Sequence, residues 1–179
     1  MIARGMIHGR FQPFHLGHLE YLKGAAERSE EVFVGITNPD RERIKPEASD
    51  PLRHLPKSNP YTYVERLLMV KAAAADAGIE AERVHVIPFP VNEPELWPAY
   101  VPEGAVQFIR LFSDWGGTKL DRLRAAGYEV VVLDEGAEKE VSGAEVREAL
   151  RRDGDWDTLV PPGVAALLRQ FEGANVRAV

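Results

Sequence analysis

Two histidines, His15 and His18, sit in the string Gly9-Arg10-Phe11-Gln12-Pro13-Phe14-His15-Leu16-Gly17-His18, which follows a short apolar run and opens an amphipathic one. Near the first turn of a helix, an i, i+3 spacing puts both imidazoles on one face. Such a pair can ligate a metal, fill a core or donate to anionic oxygens. No third ligand stands nearby and no HExxH pattern accompanies the pair, which tells against a metal. Gly9, Pro13 and Gly17 bound the loop, which tells against simple burial. Donation to phosphate oxygens from the positive end of a helix remains. A strand–loop–helix junction suits that chemistry, because unpaired backbone N–H groups already point out of the helix start. Gly17 carries no side chain to obstruct a nucleotide.

The rest of the chain must supply the elements that hold this loop. A strand is expected over 6–8, with Ile2 upstream. From His15 the apolar positions Leu16, Leu19, Leu22 and Ala26 recur at helical spacing, ending near Ser29. Residues 32–36 read as a buried strand, apolar on both faces as parallel strands are. Thr62 with Glu65 three residues on makes a capping box for a helix that runs to Gly78. Further strands are expected over 84–87, 106–112 and 128–133. Helices are expected over 96–101 and 120–126, from Ser142 (capped again, with Glu145) to Gly154, and from Val160-Pro161-Pro162 onward.

This alternation specifies an α/β fold: a parallel sheet of about five strands with helices on both faces. Its ligand crevice lies at the carboxyl ends of the strands, where the loops after Gly9, Ile36, Ile87 and Phe112 collect. Residues 1–179 form one domain, with a short C-terminal tail from about 172. The 38–60 stretch breaks the pattern with Pro39, Pro46, Pro51, Pro56 and Pro60. It reads either as a solvated insertion or as a lid bringing Arg41, Arg43, Lys45, Arg53 and Lys57 toward a phosphate.

A chain of 179 residues can bury roughly 70% of the surface it would expose unfolded. Its net charge of −6 disfavours a polyanion binder, so no nucleic-acid partner is expected and any phosphate recognition is local. The absence of cysteine excludes disulfides, thiolate zinc sites and cysteine nucleophiles. No signal-peptide pattern opens the chain and no apolar run approaches membrane-spanning length, so a cytoplasmic protein with no membrane partner is expected.

His-x-Gly-His after a strand resembles the signature of the nucleotidyltransferase superfamily, whose fold is Rossmann-like. The longer string over 9–18 is similar to that of archaeal-type nicotinamide mononucleotide adenylyltransferases. The likeness continues through Asn59-Pro60-Tyr61-Thr62 with Glu65-Arg66, Pro88-Phe89-Pro90, Trp97 with Tyr100-Val101, Ser113 and Gly127-Tyr128-Glu129-Val130. It ends with Ser142-Gly143-Ala144-Glu145-Val146-Arg147 and Leu159-Val160-Pro161.

The resemblance implies transfer of a nucleotidyl group from a nucleoside triphosphate to a phosphorylated acceptor, with release of pyrophosphate. In first place it implies ATP and nicotinamide mononucleotide giving NAD. His15 and His18 would then bond α- and β-phosphate oxygens, Arg147 the β/γ-phosphates, and Arg10 would bridge triphosphate and acceptor. Gly9, Phe11, Phe14, Gly17, Ser113, Ser142 and Gly143 would bind the nucleotide. Thr37, Arg66, Trp97, Asp114 and Trp115 would bind the acceptor. Magnesium would travel with the triphosphate, through water and phosphate oxygens, with no direct protein ligand. Similar proteins often assemble, so a homo-oligomer is open.

Several of these residues also have a plainer reading. Arg147 can be a solvated helix arginine, Ser142 only an N-cap, Arg66 a partner on its own helix face and Trp97 a core residue. The departures from the family pattern fall mainly on the acceptor side. Pro94 stands where relatives carry asparagine, with Asn92 two residues earlier. Ser113-Asp114-Trp115 replaces Ser-Gly-Asn, and Ala144 replaces a threonine near the triphosphate. A site built to pair an amide rejects analogues lacking it by large factors. A related transferase, using ATP or CTP on another phosphate or phosphonate, is therefore the second reading. A nucleotide sensor without catalysis is the third.

Overall fold

The computed structural model describes residues 1–44, 46, 54–111, 114–135 and 141–175, without the side chains of 114–116, 135 and 173–175. In chain order the main elements are β1 (Ile2–Gly9), α1 (Leu16–Ala26), β2 (Ser29–Thr37), α2 (Tyr63–Asp76) and β3 (Val84–Phe89). They continue as β4 (Val106–Leu111), α3 (Asp114–Ala125), β5 (Val130–Glu135), α4 (Gly143–Arg151) and α5 (Pro162–Asn175). Among the described residues the sheet has five strands in the order β3-β2-β1-β4-β5, and all neighbours are parallel. The expected α/β fold with a parallel, Rossmann-like sheet is thus the observed one. The chain crosses from one side of β1 to the other between β3 and β4, so the crevice between the ends of β1 and β4 is the topological switch point.

Among the boundaries that differ from the expectation, three have a clear local reason. β1 starts at Ile2, because Ile2 aligns with Ser29 at the start of β2; Arg4 on this stretch hides the strand pattern. β3 runs through Pro88 to Phe89, which an edge strand tolerates although proline gives no N–H to the ladder. α3 begins at Asp114 rather than near Leu120, since Gly116 and Gly117 weaken the helical signal in the sequence.

Two apolar cores flank the sheet. One face carries Ile7, Val34, Ile36 and Phe108 against Leu22 of α1, Met69 of α2, Val146 of α4 and Leu168 of α5. The other carries Met6, Phe89 and Ile109 against Leu123 of α3 and Trp97 from the 3₁₀ turn Pro94–Ala99. Full burial of each such side chain stabilises by about 1.5–3 kcal/mol. No helix among the described residues is long and apolar enough to cross a membrane.

α2 begins as the capping box requires: Glu65 N donates to Thr62 Oγ1 at 3.2 Å and Thr62 N to Glu65 Oε2 at 2.7 Å. Thr62→Ala should lower stability by about 1 kcal/mol, a fall of about 2–4 °C in the melting midpoint, read by thermal unfolding. Before α2, the described parts of the 38–60 stretch form 3₁₀ turns at Arg41–Arg43 and Pro56–Ser58. Arg41 donates to the Pro60 carbonyl at 2.6 Å and Arg43 pairs with Asp40, so these two cations tie the stretch to itself. Lys57 is exposed, while Lys45 and Arg53 lie outside the described residues.

Candidate functional site

The loop from β1 to α1 turns on Phe11, whose φ of 52° is in the left-handed region. That conformation costs a non-glycine residue about 1–2 kcal/mol. Burial holds it: the Phe11 and Phe14 rings are both 0% exposed and stack at 5.3 Å. His18 rests on them, with centroid distances of 4.9 and 5.4 Å. The Phe11 and Phe14 rings thus form the bed on which His18 lies.

His15 is the N-cap of α1 and His18 its third residue. Their rings stack at 3.6 Å, and His15 N donates to His18 Nδ1 at 3.3 Å. An accepting Nδ1 assigns the proton of the neutral imidazole to Nε2. Nε2–H is therefore the group with which His18 can donate to an anionic oxygen. A Cβ at Gly17 would lie 3.2 Å from His15 Cε1 and 3.5 Å from the Val141 carbonyl. Glycine there admits both the histidine ring and the chain entering α4.

α4 closes the other side. Glu145 N donates to Ser142 Oγ at 3.3 Å and Ser142 N to Glu145 Oε2 at 2.6 Å, so Ser142 serves as the helix cap. A Cβ at Gly143 would lie only 2.9 Å from the Gln12 carbonyl oxygen. Arg147, 135 residues away in sequence, donates to that same oxygen. The Gln12 side chain in turn brackets the Tyr61 backbone, donating to its carbonyl at 2.8 Å and accepting from its N–H at 2.9 Å. The starts of α1 and α4 thus meet at the carboxyl end of β1, bringing Arg10, His15, His18 and Arg147 to one edge beside Gly9. Two positive helix ends with cationic and N–H donors form an edge whose chemistry suits anionic oxygens.

Arg66 is placed differently from the expectation. It is 0% exposed, and its guanidinium donates to the carbonyls of Thr62 (3.2 Å), Arg10 (3.1 Å), Thr37 (2.8 Å), Asn38 (2.9 Å) and Pro39 (3.4 Å). A guanidinium has five N–H donors, and five carbonyls take them. Direct acceptor binding is therefore corrected to a clamp joining the β1–α1 loop, the end of β2 and the start of α2. Burial, with Arg41's charge adding to it, pushes the Arg66 pKa down to about 10, so the clamp stays protonated at neutral pH.

Trp97 is also 0% exposed. Its Nε1 donates to the Pro90 carbonyl at 2.9 Å, and its ring packs near Phe89 and Tyr128. The core reading holds for it, and the stacking platform for an acceptor is corrected. Thr37 closes β2 at 2% exposure, with no partner for its hydroxyl. Asp114 and Trp115 are described only as backbone at the start of α3, and Ser113 lies outside the described residues.

Sequence reasoning missed Arg110. From β4 its Nε and Nη2 reach Asp134 Oδ2, both at 2.7 Å, and its Nη1 donates to the Gly17 carbonyl at 2.7 Å. It ties β5 and β4 to the histidine helix. A lone arginine in the apolar run 106–112 was the available signal, as was Gln12 within the loop string.

A model of the cytidylyltransferase-like family matches residues 6–149, taking in the histidine loop and Arg147. The chain belongs to the cytidylyltransferase-like family. Among its relatives, a phosphonoformate cytidylyltransferase of Streptomyces viridochromogenes is 47% identical over 166 residues, covering 93% of this chain and 90% of that one. A nicotinamide-nucleotide adenylyltransferase of Thermococcus kodakarensis is 32% identical over 177 residues, covering 98% and 87%. The crystal structure of a bifunctional NMN adenylyltransferase/ADP ribose pyrophosphatase from Francisella tularensis matches with a TM-score of 0.71 at 16% identity. This chain, 96% covered, spans 50% of that one, so the likeness attests the fold. This member of the family is a nucleotidyltransferase.

Proposed function

We propose that the enzyme transfers a cytidylyl group from CTP to a small phosphonate, phosphonoformate or a close analogue, releasing pyrophosphate. The observation that carries this is the 47% identity, over 93% of the chain, to a phosphonoformate cytidylyltransferase. The changes at Pro94 and Trp115 agree with it, because each stands where relatives acting on a nicotinamide nucleotide are expected to carry an asparagine amide. Adenylyl transfer to nicotinamide mononucleotide is the second reading, favoured by the loop string and by relatives at 32% identity.

In either case a phosphonate or phosphate oxygen of the acceptor attacks the α-phosphorus. A new P–O bond forms there, the bond to the bridging oxygen breaks, and pyrophosphate leaves with that electron pair. No covalent enzyme intermediate is required. Catalysis is positioning plus stabilisation of charge on the phosphoryl oxygens. His15, His18 and the two helix starts hold the oxygens around the leaving group, and Arg147 and Arg10 neutralise the charge. The donor set at this edge is cationic or N–H, which suits phosphate oxygens rather than a divalent cation. Among the described residues no group of three or more His, Asp or Glu side chains gathers that could hold a metal. We take magnesium to arrive as part of the triphosphate substrate.

The test is product identity. With CTP and phosphonoformate, ³¹P NMR should show pyrophosphate together with a mixed anhydride in which the phosphonate and cytidylyl phosphorus atoms couple through one oxygen. Pyrophosphate formation only with ATP and nicotinamide mononucleotide would move the assignment to the second reading.

A further inference from the structure

His8 is the last residue of β1 before Gly9, 2% exposed, and neither ring nitrogen has a hydrogen-bond partner. Buried imidazoles are ordinarily paired, and one left unpaired costs stability unless it serves something else. It lies on the sheet face opposite α1 and α4. There it aligns with Gly35 of β2, where an added Cβ would come within 3.2 Å of His8 Cβ, and its ring is 5.0 Å from that of Phe89. Thr37, two residues beyond Gly35 on that face, has an unpaired hydroxyl at 2% exposure. Gln107, opposite Met6 on β4, has both amide atoms unpaired at 0% exposure. Three adjacent strands therefore carry buried polar groups without partners on one face, two of them at the carboxyl edge.

Geometry gives that face a use. In-line displacement requires the attacking oxygen opposite the leaving pyrophosphate. The pyrophosphate side is fixed by the starts of α1 and α4, so the acceptor reaches the α-phosphorus from the α3 side of the β1/β4 switch point. We infer that His8 and the Thr37 hydroxyl form the acceptor's second anchor, donating hydrogen bonds to the carboxylate of a carboxylated phosphonate. This inference rests on the functional reading above. Burial, and next the charge of Lys119 on α3, hold the His8 pKa well below its ordinary value. The ring is thus a neutral donor at neutral pH.

The experiment compares wild type, His8→Phe and His8→Asn with CTP and two acceptors, phosphonoformate and methylphosphonate, which lacks the carboxylate. His8→Phe keeps a ring against Phe89 and removes the donor; His8→Asn keeps an N–H. His8→Phe should raise KM for phosphonoformate about 10- to 100-fold. KM for CTP and the kinetics with methylphosphonate should stay within about twofold. His8→Asn should recover part of the loss. A phosphonoformate KM within about twofold of wild type in His8→Phe, or an equal penalty on both acceptors, overturns the inference and leaves His8 a packing residue. Wild-type activity separates the two failures. If wild type does not use the phosphonate but does use nicotinamide mononucleotide, the functional reading falls, and with it a carboxylate contact. If wild type uses the phosphonate and His8→Phe is unimpaired, only the inference falls.

Discussion

His18→Ala should lower kcat by about 10²- to 10³-fold, the loss seen when one oriented donor to a developing oxyanion is removed. The fold should survive. The substitution removes ring contacts with Phe11, Phe14 and His15, worth about 0.5–1.5 kcal/mol each, while both apolar cores stay intact. Initial rates of pyrophosphate release, read beside thermal melting of the same preparation, separate the two effects. A kcat within about threefold of wild type in a folded variant would remove His18 from the chemistry.

Arg66→Met should have the largest effect on stability. It leaves five carbonyl oxygens from three segments without their donor. Breaking a buried charged network by removing one partner costs about 3–5 kcal/mol, or about 6–20 °C in melting midpoint for a chain of this size. Arg66→Lys should recover only part of this, since an ammonium offers three donors without the planar fork. The alternative role predicts otherwise. If Arg66 met the acceptor directly, Arg66→Lys would raise acceptor KM and leave the melting midpoint where it was.

What was legible in the sequence was what is local or periodic. The loop string ending at His15 and His18 declares the start of α1, and Thr62 with Glu65 and Ser142 with Glu145 declare two further helix starts that the structure confirms. Alternating strands and helices were enough for a parallel α/β sheet. What was not legible depends on distant segments. Phe11 and Phe14 stand in the loop string, and only the packing of Phe108 and α2 over the same core shows where their rings go. Arg66 looks like a surface helix residue because its carbonyl partners lie up to 56 residues away. Trp97 sits among prolines that suggest a loop, yet its Nε1 finds the Pro90 carbonyl and its ring fills the second core. Polar residues inside apolar strands, namely His8, Gln107 and Arg110, were visible as anomalies. Their meaning came only from the face and edge on which the topology put them.

The changes at Pro94, Asp114 and Trp115 bear on the choice of acceptor, and one assay decides it. With one preparation of the purified enzyme, kcat/KM is measured by pyrophosphate release for CTP with phosphonoformate and for ATP with nicotinamide mononucleotide. The expected result is a preference of at least about 10²-fold for the first pair, the scale that a mismatched polar pocket can enforce. A preference of similar size for ATP and nicotinamide mononucleotide would contradict the account.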